Sequence, residues 1–327
     1  MVAKPTKASY DAEFLFSLYK DMLYYRRFEE AVHRAYTDGK FAGFCHLHIG
    51  QEAVCAGIQA CLRPTDYVIS GYRSHTQAIA KGIPAEQVMA ELLGKDGGCV
   101  HGKGGSMHMF SKEKRFLGGH GIVGGQIPLA TGVGFKIRYL EEDDICVCYF
   151  GDGAVNQGQF YEALNLAATW KLPVLYVIEN NGYGMGTAFT RVTSIDHLWK
   201  RALAFDMDHS DVDGMNIISV YEHVGNVIKN IRATKRPHLL EVLTYRYRGH
   251  SVSDPGTYRT KEEVQRFQQR DPILQLGAYL KKELNVDEPT LETWDERVKT
   301  QVEAVCKWAD ESPQPADEVA YQDMFVE

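Results

Sequence analysis

Two short segments hold the residue types needed for metal and phosphate chemistry. Gly151-Asp152-Gly153 and Asn180-Asn181-Gly182-Tyr183 set a carboxylate and an amide 29 residues apart. A carboxylate with an amide oxygen is a hard-oxygen donor pair suited to Mg²⁺, an ion that keeps coordination positions free for water and phosphate oxygens. Each segment alone is an ordinary turn sequence. Together they mean more, because their spacing is about the length of one strand-helix-strand unit, which would bring both side chains to the same sheet edge. In open α/β sheets that edge, at the carboxyl ends of the strands, is where ligands bind. Gly153 and Ala154 would open the crossover helix, whose free N–H groups favour an anion. A diphosphate bridged by Mg²⁺ would use all of these groups together.

Those side chains need a fold that brings strand ends side by side. The runs 145–150 and 173–179 are short and apolar, and 157–170 between them repeats Phe160, Leu164 and Ala168 on one helical stripe. This reads as two buried strands joined by a crossover helix, and a right-handed crossover makes the strands parallel. A helix over 220–233 and a strand over 238–244 extend the pattern. Upstream, apolar residues recur at three- and four-residue steps from 9 to 37, predicting a long amphipathic helix that ends at Gly39. A helix over 51–62, a strand over 67–70 and a helix over 74–81 follow. The stretch 94–125 is so rich in glycine that it reads as a functional loop and not as packed helix or strand. Residues 245–260 form a polar, arginine-rich loop, and 261–308 a charged helical tail. The fold class expected is α/β, a mostly parallel sheet with helices on both faces. It divides into a helical arm (1–40), a ligand-binding α/β domain (41–260) and a helical tail (261–327).

Composition narrows the function classes. The chain has 327 residues, 44% hydrophobic and 24% charged, the profile of a globular protein with a sizeable core. A net charge of −7 argues against general affinity for nucleic-acid phosphates, although scattered basic residues could still converge on one small phosphate. No apolar run is long enough to span a bilayer, and residues 1–14 contain no signal-peptide hydrophobic region. The seven cysteines are odd in number, hold no C-x-x-C and mostly lie in apolar runs, which suggests a reducing compartment. A bacterial cytosolic protein is the simplest reading, with a processed mitochondrial form left open.

Two glycine patterns look like nucleotide motifs and fail on context. Residues 119–124 satisfy G-x-G-x-x-G with acidic residues 141–144 about twenty positions later, but the dinucleotide fingerprint must follow a buried strand and 111–117 reads SKEKRFL. Residues 97–103 nearly spell a phosphate loop, yet Gly104 stands where Ser or Thr would bind Mg²⁺, and no apolar helix follows.

The paired segments resemble the signature of thiamine-diphosphate enzymes, GDG followed one strand-helix-strand unit later by NN. Longer stretches narrow the match: FCHLHIGQEA (44–53), GYRSH (71–75), HGKGGSMHMF (101–110), GHGIVGGQIPLATG (119–132), YFGDGAVNQGQFYEALNLAATWKLP (149–173), IENNGYGMGT (178–187) and TYRYRGHSVSDPGTYRT (244–260). Over most of residues 15–275 the chain resembles the α subunits of the first component of 2-oxo acid dehydrogenase complexes. The resemblance implies the diphosphate-binding type of thiamine-diphosphate fold, with thiamine diphosphate and Mg²⁺ as cofactors. It implies that Asp152, Asn181 and the Tyr183 carbonyl bind Mg²⁺, and that Tyr72, Arg73, Gly153, Ala154 and Arg246 hold the diphosphate. Gly121 and Val123 would offer backbone atoms to the aminopyrimidine. His46 and His250 would line the substrate end as proton donors or orienters near neutral pH, with His250 also touching the cofactor. Read without the resemblance, His46 is more simply a satisfied core histidine and Arg73 and Arg246 are surface charges, whereas His250 lies in a segment too polar for a core.

The same resemblance implies oxidative decarboxylation of pyruvate, with transfer of the acetyl group to a lipoyl group on an acetyltransferase component. Residues 247–256 are closer to pyruvate enzymes than to branched-chain 2-oxo acid or acetoin relatives, which remain the alternatives. In this family a glutamate from a pyrimidine-binding domain activates the cofactor, and these 327 residues contain one GDG…NN module and no second such domain. A separate β subunit is therefore expected to supply it, in an α₂β₂ heterotetramer. Ser251 occupies the first kinase-target position of mitochondrial relatives, but the next site is altered, with one residue fewer before Thr257 and Tyr258. A nicotinamide-dependent dehydrogenase and a non-catalytic interaction subunit are the rival functions.

Overall fold

The computed structural model of the chain describes residues 10–324. In chain order the elements are α1 (Ala12–Thr37), α2 (Glu52–Gln59), β1 (Tyr67–Gly71), α3 (His75–Ala80), α4 (Ala85–Leu92), β2 (Phe116–His120), α5 (Gln126–Tyr139), β3 (Cys146–Gly151), α6 (Gly158–Trp170), β4 (Val174–Asn180), β5 (Tyr183–Gly184), β6 (Thr187–Ala188), β7 (Asp208–Asp213), α7 (Ile217–Thr234), β8 (His238–Leu243), α8 (Lys261–Gln268), α9 (Pro272–Leu284) and α10 (Glu288–Glu311). Six strands form one sheet in the order β2-β1-β3-β4-β8-β7, and every pair in it is parallel. The short β5–β6 hairpin is antiparallel, as is an isolated bridge between Ser111 and Phe116.

Alternation along the central strands explains the two layers. Val147 and Tyr149 of β3 and Leu175 and Val177 of β4 face one core, which contains Leu15 of α1, Val54 of α2, Val220 of α7 and Val298 of α10. Cys146, Cys148, Phe150, Val174, Tyr176 and Ile178 face the other, with Ile127 of α5 and Phe160 of α6. Both faces are covered, so β3 and β4 read as continuous apolar runs, the pattern of buried parallel strands. Helix α1 starts from Asp11, which accepts from the Glu13 N–H at 3.3 Å, and buries Leu15, Leu18, Met22, Leu23, Phe28 and Val32. Residue 9, the expected start of this helix, and the first residues of the arm lie outside the described residues.

Three expectations need correction. The glycine-rich stretch 94–125 is not all loop, because residues 116–120 pair with β1 as the edge strand β2. That strand runs through Gly119 into a turn and α5, so the stated reason for dismissing G-x-G-x-x-G fails: a strand does precede it. The dismissal stands on geometry, since a dinucleotide fold needs its acid at the carboxyl end of the next strand. Residues 141–144 instead precede β3, at its amino end. Finally, Gly153 and Ala154 do not open α6. They enter a single 3₁₀ turn (Ala154–Asn156), and α6 begins at Gly158.

The loop between α4 and β2 is built around a buried carboxylate. Glu91 is fully buried, and its Oε2 accepts from the N–H groups of Val100 and Gly102, both at 2.9 Å. Its Oε1 accepts from Gly104 at 2.7 Å and Gly105 at 3.1 Å. Close approach explains the glycines: a Cβ at Gly98 would lie 2.3 Å from Glu91 Oε2, and one at Gly104 2.0 Å from the His108 carbonyl oxygen.

Candidate functional site

Strands β3 and β4 pair in register, with Gly151 opposite Glu179, so the chain leaves both at the same carboxyl edge. A cleft of about 260 Å³ opens there, lined by Tyr72, Arg73, Val123, Asp152, Gly153, Ala154, Asn181, Tyr183, Arg246 and His250 among others. Seven chain segments meet at it: the residue before α2, the ends of β1, β3 and β4, the turn before α5, the hairpin strand β5 and the chain after β8. Gly121 does not itself line the cleft, although its neighbours His120 and Ile122 do. The His46 ring lies behind the wall, 4.4 Å from the Tyr72 ring and 5.0 Å from that of His250.

The charges in this cleft are unbalanced in a specific way. Arg73 and Arg246 are both buried. Arg73 donates to the Leu47 and His250 carbonyls, the latter at 2.9 Å. Arg246 donates to the carbonyls of Arg248 at 3.2 Å and Met185 at 3.3 Å, and to the Tyr258 hydroxyl at 3.0 Å. All of these acceptors are neutral. Burial, with repulsion from Arg246, pulls the Arg73 guanidinium down to about 10. Two buried cations in contact only with neutral oxygens are costly until an anion neutralises them.

Asp152 presents the opposite demand. It is 3% exposed, its Oδ2 has no hydrogen-bond partner, and burial pushes its carboxyl up to about 6. A desolvated carboxylate oxygen of this kind is satisfied by a cation. Across from it Gly153 and Gly184 approach closely, and a Cβ on Gly184 would stand 3.3 Å from Gly153 Cα and 3.9 Å from Asp152 Oδ2. A cation beside Asp152 and an anion beside the arginines fit the donor set together, as a metal-bridged diphosphate requires.

The remaining polar groups hold this geometry. Asn181 donates Nδ2–H to Gln51 Oε1 at 3.1 Å, and its Oδ1 accepts from the Tyr183 N–H at 3.4 Å. Glu179 lines the cleft and pairs with the fully buried His48 at 2.7 Å. The His250 backbone N–H donates to Asp254 Oδ2, whose other donor is the Tyr258 hydroxyl at 2.9 Å. His46 is buried but not satisfied: its Nδ1, like that of His250, has no partner. Burial and the two arginines lower both imidazoles, His250 to about 4 and His46 further. Near neutral pH both rings are therefore neutral here, able to orient a group but not to act as imidazolium acids while the arginines are uncompensated.

Several lining residues escaped sequence reasoning. Gln51, Gln126, Tyr149 and Glu179 are buried members of the wall or floor. Gln126 donates to the Tyr149 carbonyl at 2.9 Å while its Oε1 has no partner. Only Gln51 had a signal available, a polar residue opening a helix immediately after a glycine in the 44–53 stretch. The others lie in apolar runs or at helix starts, where burial next to a cleft is invisible.

The profile of the family described as "Dehydrogenase E1 component" matches residues 20–318. The chain is 46% identical, over 99% of its length and 96% of the relative's, to the pyruvate dehydrogenase E1 component subunit alpha of Rhizobium meliloti. It is 47% identical to the protein of that name from Zymomonas mobilis, over 98% of this chain and 91% of that one. A chloroplastic pyruvate dehydrogenase E1 component subunit alpha-3 from Arabidopsis thaliana is 42% identical over 95% of this chain and 74% of its own.

Proposed function

The chain belongs to the dehydrogenase E1 component family, and from that premise we propose that it is the α subunit of a pyruvate dehydrogenase that uses thiamine diphosphate with Mg²⁺. The reaction takes pyruvate and the disulfide of a lipoyl group to carbon dioxide and an acetyl thioester of the reduced lipoyl group. The observation that carries the cofactor assignment is the charge arrangement: two buried arginines without an acid partner, beside a buried carboxylate without a cation. When bound, thiamine diphosphate supplies the carbon nucleophile and electron sink that 2-oxo acid decarboxylation needs.

The protein's own residues bind, orient and exclude water. Asp152, Asn181 Oδ1 and the Tyr183 carbonyl would hold Mg²⁺, while Arg73, Arg246, Tyr72, Gly153 and Ala154 would hold the diphosphate. Val123, 42% exposed, and Gly121 would face the aminopyrimidine. His250, edge to face with both Tyr72 and His46, would orient the acyl group and its acceptor together with His46. We assign this chemistry to residues 41–260, flanked by an arm (1–40) and a tail (261–327) whose described parts carry α1 and α8, α9 and α10.

The cleft is incomplete on one side. Ile122 is 76% exposed, and Leu129, Phe135 and Tyr139 continue an exposed apolar strip along α5. A β subunit covering that strip would close the site and contribute the pyrimidine-facing acid, in an α₂β₂ assembly that delivers acetyl groups to a lipoyl-bearing acetyltransferase. The seven cysteines are unpaired, which suits a reducing bacterial cytosol. No helix among the described residues is long and apolar enough to cross a membrane.

Co-expression with candidate β chains tests the reading. The expected result is pyruvate decarboxylation that requires both chains, thiamine diphosphate and Mg²⁺. Assembly with a β chain that turns over only branched 2-oxo acids or acetoin would reassign the substrate. Cofactor binding that is indifferent to Mg²⁺ and to Asp152→Ala would overturn the site.

A further inference from the structure

We propose that Gln51 is a positioning residue for the metal site: it locks the Asn181 amide with oxygen, not nitrogen, toward the cation, and it keeps its own NH₂ group for the bound ligand. The inference rests on the reading of the cleft as a site for Mg²⁺ and thiamine diphosphate. Gln51 has no exposed surface and lines that cleft. It is also the N-cap residue just before α2, yet its side chain makes no capping bond to the helix. A glutamine at that position usually turns to the free N–H groups of the first turn or to solvent. Here it reaches away from its helix to the end of β4.

The orientation of both amides follows from one backbone group. The Tyr183 N–H can only donate, so the Asn181 atom facing it at 3.4 Å is Oδ1. The NH₂ of Asn181 is then on the other side, and the Gln51 atom receiving it at 3.1 Å must be an oxygen. That leaves Gln51 Nε2 as the remaining end, buried and without a partner. With Gln51 oriented as it is, a flipped Asn181 would set its NH₂ against the Tyr183 N–H and toward the cation, losing both contacts. Without Gln51, the long contact from the Tyr183 N–H at 3.4 Å would be left to hold Oδ1 in place, so Gln51 supplies the shorter of the two bonds that fix the amide.

The unpartnered Nε2 is the second half of the inference. A buried donor without a protein acceptor costs free energy, and a ligand oxygen entering the cleft that Gln51 lines would satisfy it. Gln51 thereby serves both signs of a metal diphosphate: its oxygen acts through Asn181 on the cation, and its nitrogen offers a hydrogen bond to an anionic oxygen.

Two substitutions separate these roles in the α chain assembled with its β partner. Gln51→Leu removes both, and Gln51→Glu keeps an acceptor for Asn181 Nδ2 while replacing the donor with a negative charge. Calorimetric titration with Mg²⁺ at saturating thiamine diphosphate, and with thiamine diphosphate at saturating Mg²⁺, reads the two affinities without turnover. For Gln51→Leu we expect Mg²⁺ affinity to fall about 10- to 100-fold, the usual effect of losing an outer hydrogen-bond partner of a metal ligand. For Gln51→Glu we expect Mg²⁺ affinity within about threefold of the parent and thiamine diphosphate affinity reduced about tenfold or more, from one lost charge-assisted bond. Steady-state rates should show a raised KM for the cofactor with kcat less affected. Parent-like Mg²⁺ affinity in Gln51→Leu, or an equal loss in both variants, overturns the inference. A parent protein that binds neither Mg²⁺ nor thiamine diphosphate overturns the functional reading instead, so the two failures are distinct.

Discussion

Arg73 shows how a residue can be placed against its own stability. Its guanidinium is buried beside a second one and touches only neutral carbonyl oxygens, so its benefit is realised only with an anion present. Arg73→Met should weaken thiamine diphosphate binding about 10- to 100-fold, as expected for a charge-assisted phosphate contact of about 1.5–3 kcal/mol. The same change should alter the urea midpoint of the unloaded protein little, because desolvation of the cation offsets the bonds it makes. A large loss of unloaded stability with unchanged cofactor affinity would mark Arg73 as structural. His250 makes a different contribution. Its backbone is tied to Arg73 and Asp254 while its ring faces Tyr72 and His46. Once a bound diphosphate neutralises the arginines the ring can carry a proton, and His250→Ala should then slow transfer to a lipoyl acceptor by about 10²- to 10⁴-fold, and should slow decarboxylation measured with an artificial oxidant much less.

At the scale of elements, Glu91 connects helix α4 to the segment that leads into β2 and the turn lining the cleft. It gathers four N–H groups of residues 100–105, and the chain just beyond packs under β2, where the Gly119 N–H donates to the Met109 carbonyl at 3.2 Å. Glu91→Gln keeps one acceptor oxygen and turns an NH₂ group toward N–H donors. We expect a loss on the order of 3 kcal/mol, seen as a lower urea midpoint at unchanged slope. An unchanged midpoint would mean that the loop is held by its other contacts. Strand β7 offers a second case. It is polar and half exposed at the sheet edge, so no alternating pattern announced it.

At the scale of the whole molecule, two properties follow from the way the layers close. Ser210 of β7 bridges His238 and His223 at 2.8 and 2.7 Å, with His209 and Asp208 nearby. Burial lowers His238 to about 4 and also lowers His223. The native state then binds fewer protons than the unfolded chain between about pH 4 and the unfolded value near 6.5. Stability from this source is complete above about pH 7 and is lost as pH falls through that window, on the order of 3 kcal/mol for His238. Urea midpoints from pH 7.5 to 4.5 should fall, and His238→Gln should flatten the fall. The second property is the uncovered strip on α5. Leu129→Asp and Phe135→Asp should leave the α chain folded, since both side chains are about half exposed. They should weaken its co-purification with β, while intact assembly in both variants would place the β contact elsewhere.

Some of this was written in the order of residues alone. The period of apolar residues made α1, β3, α6, β4, α7 and β8 legible to within a few positions, because burial on both faces leaves a local, repeating trace in the chain. The spacing of Asp152 and Asn181 likewise predicted a shared strand edge. Other features leave no such trace. The 3₁₀ turn after Gly153, strand β2 within a glycine-rich stretch and polar β7 depend on neighbours distant in sequence. So does the burial of Arg73 and Arg246, which by residue type alone belong on the surface. Only the packed sheet decided that two guanidinium groups, an orphaned carboxylate oxygen and the Gln51–Asn181 amide pair would share one desolvated cleft, because desolvation is a property of what surrounds a group and not of the group.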